Sequence, residues 1–258
     1  MWALAGFSAS FFCHTTERMD LTCHSKFDGA FFHQIANCLL PVVAHMYAAH
    51  AMRGTVCVSP FMRRWYHALA PNATLVETCA HPAPRIVPAS PRAILELLSQ
   101  PYDAAAQHIV LVRRTKNRIF MHFERLRDAL TTLGRVVVYN GSESAAATIA
   151  LFRNARAIVG YHGAAFANAV FARNATTVEL TTYAALNSSR MWRSNGESLR
   201  PWLSRPFVVL PIPLSRLLAA NGVTLRVEDS DHFIKKLRRV PLEVDTIERV
   251  VSALVRSL

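Results

Sequence analysis

Short apolar runs alternate with helix-patterned segments over the second half of the chain. The runs are continuous and rich in β-branched residues, as expected for buried strands of a parallel sheet. They comprise the run that starts at residue 108 and those at 135–140, 156–161 and 176–182. The helix-patterned segments between them lie at 123–134, 142–155 and 163–172. This alternation predicts a parallel sheet flanked by helices, which is a doubly wound α/β fold.

The remainder of the chain has a weaker pattern. TVCVSP at 55–60 and ATLVETC at 73–79 predict short strands. The spacing of apolar residues predicts helices at 31–50 and 91–98. Residues 183–230 contain several prolines and little periodicity, which predicts loops around a cleft.

The C-terminal tail predicts one more strand and one more helix. VPLEV at 240–244 is an apolar run typical of a strand. Asp245 follows it directly and is expected to cap a final helix with the sequence TIERVVSALVRSL.

The length and composition fit a globular protein with one large domain or two small ones around a cleft. The chain has 258 residues, of which 52% are apolar and 18% charged, so a sizeable core is expected and extensive disorder is not. The segment near residues 99–107 is the expected boundary between an N-terminal lobe, 1–104, and a C-terminal lobe, 105–258. A cleft between the lobes is the expected place for a ligand.

The net charge of +12 indicates an anionic partner, such as a nucleic acid, an anionic membrane surface or a phosphorylated ligand. The basic residues are scattered, and no aromatic-basic interleaving typical of a nucleic-acid module is present. No nucleic-acid partner is therefore expected, which leaves an anionic membrane surface and a phosphorylated ligand as the alternatives.

Cysteine usage gives little support to a zinc site. The five cysteines all lie in the first third of the chain and none forms a CxxC pair. Four N-x-[ST] sequons, at Asn72, Asn140, Asn174 and Asn187, favour a secretory lumen. No segment is long enough to span a membrane, and the apolar start of the chain is a poor signal peptide. Membrane association is expected only if an anchor is missing from this chain.

The segment GYHGAAFANAVF at 160–171 has the features of an anion site. Gly163 permits a tight turn beyond a strand, and the helix that starts near Ala164 would direct its N-terminal N–H groups at a ligand. His162 can donate a hydrogen bond to a phosphate or sugar oxygen. An ordinary loop is the alternative.

Three charged residues extend this candidate site. Glu179 lies inside an otherwise apolar strand, where it could accept ribose hydroxyls or pair with an arginine. Arg114 and Arg118 follow the strand that starts at residue 108, and their planar guanidinium groups suit a diphosphate. A solvated basic loop is the alternative for the arginines.

Three blocks occur in the order found in one known family. They are FFHQIANCLLPVV, RTKNRIFMHFERLRDAL and LFRNARAIVGYHGAAFANAVFARNATTVELTTY. Together they resemble glycosyltransferase family 61, most closely the branch that adds N-acetylglucosamine to O-mannose or to EGF-like domains. The matching positions are Arg114, Thr115, Asn117 and Arg118; Ala155, His162, Gly163 and Ala164; and Val178, Glu179 and Leu180.

The resemblance implies a GT-B-like fold with two Rossmann-like lobes. Residues 1–104 would form the acceptor-side lobe and residues 105–258 the nucleotide-sugar-binding lobe. The implied reaction is an inverting, metal-independent transfer of N-acetylglucosamine or a pentose from a UDP-sugar to a protein- or glycan-borne hydroxyl. No cofactor is expected beside the UDP-sugar donor. The ER or Golgi lumen is the implied location if the source is eukaryotic.

The resemblance also assigns residues to the donor. His162 and the helix that begins at Ala164 would meet the diphosphate, Arg114 and Arg118 would neutralise it, and Glu179 would hold the ribose. The full donor-binding set is Arg114, Asn117, Arg118, His162, Gly163, Ala164, Ala165, Asn168 and Glu179.

Two departures from the family pattern fall on the acceptor side. The family often has an acid four residues after a histidine, but here His33 is followed at that spacing by Asn37. Since an inverting reaction needs a base, His33 is the remaining candidate. After the arginine block the family usually has Asn-Glu, whereas this chain has His122 and Phe123. The alternative function is therefore an inactive glycosyltransferase-like protein that binds nucleotide or glycan.

A D-x-D spacing occurs at Asp229 and Asp231. In other glycosyltransferases that spacing holds a metal on the UDP. Here it lies in a polar segment, where a solvated turn is expected instead.

Overall fold

The computed structural model describes residues 11–13, 19–22, 55–58, 62–69, 74–76, 107–172, 174–181, 199, 203, 205–222 and 238–257. The chain divides into two compact units, Met1–Pro101 with Ala145–Ala147, and Tyr102–Ser144 with Thr148–Leu258. The predicted acceptor-side and donor-side roles of the two halves stay predictions.

The first unit contains a four-stranded sheet in the order β1-β2-β3-β4. Its strands are β1 (Phe11–Cys13), β2 (Met19–Thr22), β3 (Thr55–Cys57) and β4 (Thr74–Val76). β1 and β2 are antiparallel, whereas the other pairs are parallel. Helix α1 (Arg63–Leu69) buries Trp65 and Tyr66. The predicted strands at 55–60 and 73–79 are confirmed, whereas the predicted helices at 31–50 and 91–98 lie outside the described residues.

The second unit is built on a five-stranded parallel sheet in the order β10-β9-β8-β5-β7. The strands are β5 (His108–Val112), β7 (Val136–Tyr139), β8 (Ala155–Tyr161), β9 (Thr176–Thr181) and β10 (Phe207–Pro211). A separate parallel pair joins β6 (Ile119–Phe120) to β11 (Arg239–Val240). The predicted parallel α/β sheet is confirmed.

Helices connect and cover the strands of this second unit. They are α2 (Phe123–Thr131), α3 (Ala145–Arg153), a 3₁₀ helix (Ala164–Phe171), α4 (Leu214–Asn221) and α5 (Val244–Val255). Helix α5 packs against α2 and against β9 and β10. Within the described part of the chain, no helix combines the length and apolar character that crossing a bilayer requires.

The main core lies on one face of the parallel sheet. Side chains alternate between the two faces of a strand, so every second residue of β5, β8 and β9 points to this face. These residues are Ile109, Leu111, Ala157, Val159, Tyr161, Val178 and Leu180, and they pack with buried residues of α2 and α5. The opposite face of β8 meets the 3₁₀ helix, where Phe166 comes close to Gly160. Both faces of the central strands are therefore buried.

The segment 183–230, predicted as loops, contains regular structure. Strand β10 and helix α4 both lie within it. Prolines flank both elements and interrupt the apolar patterns that would predict them. Pro206 precedes β10, and Pro213 immediately precedes α4. The loop prediction is wrong for these two elements, and β10 extends the sheet beside β9.

The predicted strand at 240–244 is also wrong. Strand β11 ends at Val240 because Pro241 has no backbone N–H to continue the pairing. Helix α5 already begins at Val244, so Asp245 lies in its first turn and is not the capping residue. The Asp245 carboxylate instead accepts a hydrogen bond from Arg216 of α4, at 3.1 Å, which lowers the pKa of Asp245.

Candidate functional site

The candidate site lies where two neighbouring strands of the parallel sheet end. Numbered by chain order within the sheet, the strands run 2-1-3-4-5, with β5 as the first and β8 as the third. The topological switch point therefore falls between β5 and β8. Ligands of open parallel sheets bind beyond the carboxyl ends of the strands at such a point. The arginine loop, residues 113–118, follows β5, and the His-Gly corner, His162 and Gly163, follows β8.

Arg114 is held inside the arginine loop by Asn117. The Nε of Arg114 donates to the backbone oxygen of Asn117 at 3.0 Å, and its Nη2 donates to Asn117 Oδ1 at 2.6 Å. The guanidinium also lies against Gly163, since a Cβ built at Gly163 would overlap Arg114 Nη1. Arg114 and Asn117 thus form a hydrogen-bonded pair that contacts the His-Gly corner.

Arg118 connects the same loop to the backbone of the corner. Its Nη1 donates to the carbonyl oxygen of His162 at 3.2 Å. Its Nε is buried and has no hydrogen-bond partner. The backbone of Arg118 is left-handed, with φ of 54°, a conformation that is uncommon for residues other than glycine. Strain of this kind is found at functional sites, where the surrounding structure holds it in place.

The positive charges of Arg114 and Arg118 are poorly compensated by neighbouring groups. The pKa of Arg114 is lowered to about 10, mainly by burial and also by the charge of Arg118, while Tyr161 opposes the change. Burial also lowers the pKa of Arg118, again opposed by Tyr161. In the part of the chain that the structure describes, no carboxylate forms an ion pair with either arginine. Both groups stay protonated at neutral pH, so an anion bound beside them would supply the missing compensation.

His162 lies beside the buried carboxylate of Glu179. The Nδ1 of His162 is 2.7 Å from Glu179 Oε1, and the Glu179 side chain has no exposed surface. The sheet accounts for this pairing, because Glu179 is in register with Gly160 and residues 160 and 162 point to the same face. His162 is a partner of Glu179 that the sequence analysis does not predict. The predicted alternative of an arginine partner stays a prediction. The predicted ribose contact stays a prediction.

The corner itself is formed by an extended glycine and the start of the 3₁₀ helix. Gly163 is extended, with φ of 166°, and its carbonyl accepts the first hydrogen bond of the helix, from Phe166 at 3.1 Å. Ala164 is exposed and Ala165 is half-buried, so both reach the surface at the N-terminus of the helix. The N–H groups of a first helical turn have no partner within the helix, which makes this position favourable for an anion.

Asn168 occupies the interior rather than the surface. It is fully buried in the 3₁₀ helix, and its Nδ2 donates to the hydroxyl of Tyr139 at 3.2 Å. Its Oδ1 is buried without a partner. The structure thus separates Asn168 from the exposed residues of the predicted donor-binding set and connects it to the end of β7.

The remaining predicted functional residues lie outside the described residues. These are His33 and Asn37. Asp229 and Asp231, for which a solvated turn is predicted, also lie outside the described residues. Across the described ranges, no three His, Cys, Asp or Glu side chains are grouped as metal ligands would be.

Comparison with known families accounts for this arrangement. The model of the glycosyltransferase 61 family matches residues 31–178, which is more than half of the chain. The chain belongs to glycosyltransferase family 61. Membership of this family supports glycosyl transfer as the type of reaction. None of the curated proteins compared with the chain matches it significantly.

The family 61 match contains most of the site. It includes the arginine loop and the His-Gly corner, and it ends at Val178, one residue before Glu179. It also includes His33 and Asn37, the positions of the departure from the family 61 pattern. Residues beyond Val178, including β10 and α5, complete the sheet and core on which the corner rests.

Two residues of this family 61 site are not identified by sequence reasoning. Tyr161 is buried at the end of β8, where it influences both arginines and packs edge-on against Phe120. Gly160 allows β8 to pack closely on β5, because a Cβ there would lie 2.8 Å from Val112 Cβ. A glycine within an apolar strand is the available signal for the second, since it indicates a close approach.

Proposed function

We propose that the chain transfers a sugar from a UDP donor to a protein- or glycan-borne hydroxyl. The observation that carries the proposal is the pair Arg114 and Arg118, two half-buried guanidinium groups that lie against the His-Gly corner without a described carboxylate partner. A diphosphate matches this charge, and its position would be the switch point of a parallel sheet. Family membership supports the reaction type.

The proposed mechanism is electrostatic at the donor side. When the glycosidic bond breaks, negative charge grows on the departing UDP. Arg114, Arg118 and the N-terminus of the 3₁₀ helix would stabilise this charge without having to reorganise, because the loop and corner are already bonded to each other. The diphosphate would thus depart without a metal ion, as the family resemblance implies.

We further propose inversion at the sugar, with His33 as the base that removes the acceptor proton. The sugar would be N-acetylglucosamine or a pentose, and the enzyme would act in the ER or Golgi lumen. A GT-B-like arrangement would place the acceptor on the N-terminal lobe. Support for these finer assignments comes from the motifs of the sequence, including the four sequons.

The alternative proposal is a protein that binds UDP or glycan without turnover. It is favoured by Asn37, which stands where the family often has an acid. If that acid is the base in other members, an amide at the position removes it, since an amide does not accept a proton near neutral pH.

UDP titration by calorimetry tests the proposal. The wild-type chain should bind UDP in EDTA, and Arg118→Ala should weaken binding by about 1.5–3 kcal/mol, the scale of a hydrogen bond to a charged group. Arg125→Ala is the matched control, because Arg125 is exposed on α2 and its variant should bind as the wild type does. An Arg118→Ala variant with unchanged affinity would contradict the assignment.

Turnover separates the two proposed functions. UDP-sugar consumption is measured with a panel of UDP donors and glycan or glycopeptide acceptors. Sugar transfer supports the enzyme, whereas tight UDP binding without transfer to any acceptor supports the binding protein. A wild-type chain that does not bind UDP refutes both.

A further inference from the structure

The most unusual polar group in the described core is the Glu179 carboxylate. It lies in the middle of β9, between Val178 and Leu180 of the main core, and is completely buried. Burial of a carboxylate is costly unless the group is hydrogen-bonded or paired. His162 Nδ1 lies within hydrogen-bond distance of it, at 2.7 Å. The carboxylate is therefore directed at the imidazole of the corner, not at the surface.

His162 is fixed by three contacts, two from β9 and one from the arginine loop. Its backbone N–H donates to Leu180 of β9 at 2.8 Å, and its carbonyl accepts from Arg118 of the arginine loop at 3.2 Å. Its ring contacts Glu179 through Nδ1. The backbone of His162 is therefore held by β9 and the arginine loop, and its ring is held by Glu179.

We propose that Glu179 is a positioning residue that acts on the donor through His162. Glu179 holds the imidazole with Nδ1 directed inward, so that Nε2 donates a hydrogen bond to the diphosphate. This inference rests on the proposed UDP-binding function, and it gives Glu179 a role different from direct contact with the ribose.

The chemistry of the pair determines the state of the ring. An ionised carboxylate only accepts hydrogen bonds, so Nδ1 of His162 must carry a hydrogen. A phosphate oxygen also only accepts, so Nε2 must carry a hydrogen when the diphosphate is bound. Both conditions hold together only in the imidazolium form. With the diphosphate bound, His162 then adds a third positive charge beside Arg114 and Arg118.

The first test observes the ring nitrogens in the intact wild-type chain. Nitrogen-15 NMR of the histidine side chains, with His162 assigned by comparison with His162→Gln, reports which nitrogen is protonated. We expect Nδ1 of His162 to carry a hydrogen without ligand, and both nitrogens to carry one with UDP. A ring protonated at Nε2 alone overturns the inference, and this measurement does not depend on UDP binding.

The second test is a comparison of ligands with and without the diphosphate. Glu179→Gln keeps the shape and an acceptor oxygen but removes the charge. It should weaken UDP binding about tenfold, since a charge-assisted contact is weakened. Uridine, which retains the ribose but lacks the diphosphate, should bind to Glu179→Gln and wild type equally. An equal loss for uridine and UDP would indicate direct ribose contact and overturn the inference.

A double variant establishes whether Glu179 acts through His162. In a His162→Ala background, Glu179→Gln should cause no further loss of UDP affinity. The same loss in both backgrounds overturns the inference, provided that amide spectra show each variant to be folded. If the wild-type chain binds no UDP, the proposed function fails. If the wild type binds UDP and Glu179→Gln binds it equally well, only the positioning role fails.

Discussion

Gly163→Ala is expected to disable the site through Arg114 while leaving the fold intact. The backbone of Gly163 is extended, with φ of 166°, a conformation that alanine adopts without strain. An added Cβ would nevertheless overlap Arg114 Nη1 and lie 3.2 Å from Arg114 Cζ. The guanidinium must therefore move, and its two hydrogen bonds to Asn117, at 3.0 and 2.6 Å, would be distorted.

The expected losses of stability and of UDP affinity follow from the displacement of the Arg114 guanidinium. The displaced group is the end of a flexible side chain, so the free energy of unfolding should fall by less than about 1 kcal/mol. A diphosphate would lose one charge-assisted hydrogen bond, worth about 1.5–3 kcal/mol, which is roughly a 10- to 150-fold increase in the Kd for UDP. Calorimetric titration measures the Kd, and thermal unfolding measures the stability.

The control for Gly163→Ala is the same substitution in an Arg114→Ala background. Without the guanidinium there is nothing for the methyl group to displace, so the additional loss of UDP affinity should disappear. The proposed displacement of Arg114 is refuted if Gly163→Ala binds UDP within about twofold of wild type, or if it loses as much affinity in the Arg114→Ala background.

Two further predictions concern the sheet and the charge of the arginine loop. Gly160→Ala should lower the free energy of unfolding by about 1–3 kcal/mol in urea denaturation, because its Cβ would lie 2.8 Å from Val112 Cβ in the adjacent strand; wild-type stability would contradict the close packing. Pyrophosphate has no uracil to ionise, and its affinity should fall as the pH rises through about 10, where Arg114 loses its proton. The affinity of Arg114→Ala for pyrophosphate should depend less steeply on pH. Identical pH profiles would contradict the role of Arg114 in binding the diphosphate. Because the folded-state pKa of Arg114 lies below the ordinary value, the folded state binds fewer protons than the unfolded state over this pH range. The contribution of Arg114 to the free energy of unfolding therefore rises with pH, and weaker binding there does not reflect unfolding caused by this group.

The sheet is predictable from sequence where its strands are buried on both faces. β5, β8 and β9 have continuous apolar runs for that reason, and the pattern identifies them. β10 lies beside β9 and is only half-buried, and prolines border it, so its pattern is that of a loop. The position of Asp245 depends on a distant residue, Arg216, which no local pattern contains.

The site is predictable in its components but not in its contacts. The sequence identifies Glu179 as an unusual carboxylate in a buried strand but does not choose between a ribose and an arginine as its partner. The parallel register adds a partner that neither alternative includes, because it aligns Glu179 with Gly160 and therefore places it beside His162. Asn117 is likewise recognisable from its motif, whereas its hydrogen bonds to Arg114 depend on the conformation of the loop.

The unfavourable features of the site are already present in the folded protein before a ligand binds. Arg118 adopts a left-handed backbone and buries an unpartnered Nε, and both features are unfavourable in the absence of a ligand. The hydrophobic core of β5, β8 and β9 stabilises the fold enough to tolerate them. Because the cations are already in place, a diphosphate needs little reorganisation of the protein to bind. Charge that develops on a departing UDP would meet the same fixed groups, which is the condition under which electrostatic stabilisation lowers a barrier. Mutations that loosen the corner without removing a charge, such as Gly163→Ala, should therefore reduce turnover at least as much as they reduce UDP affinity.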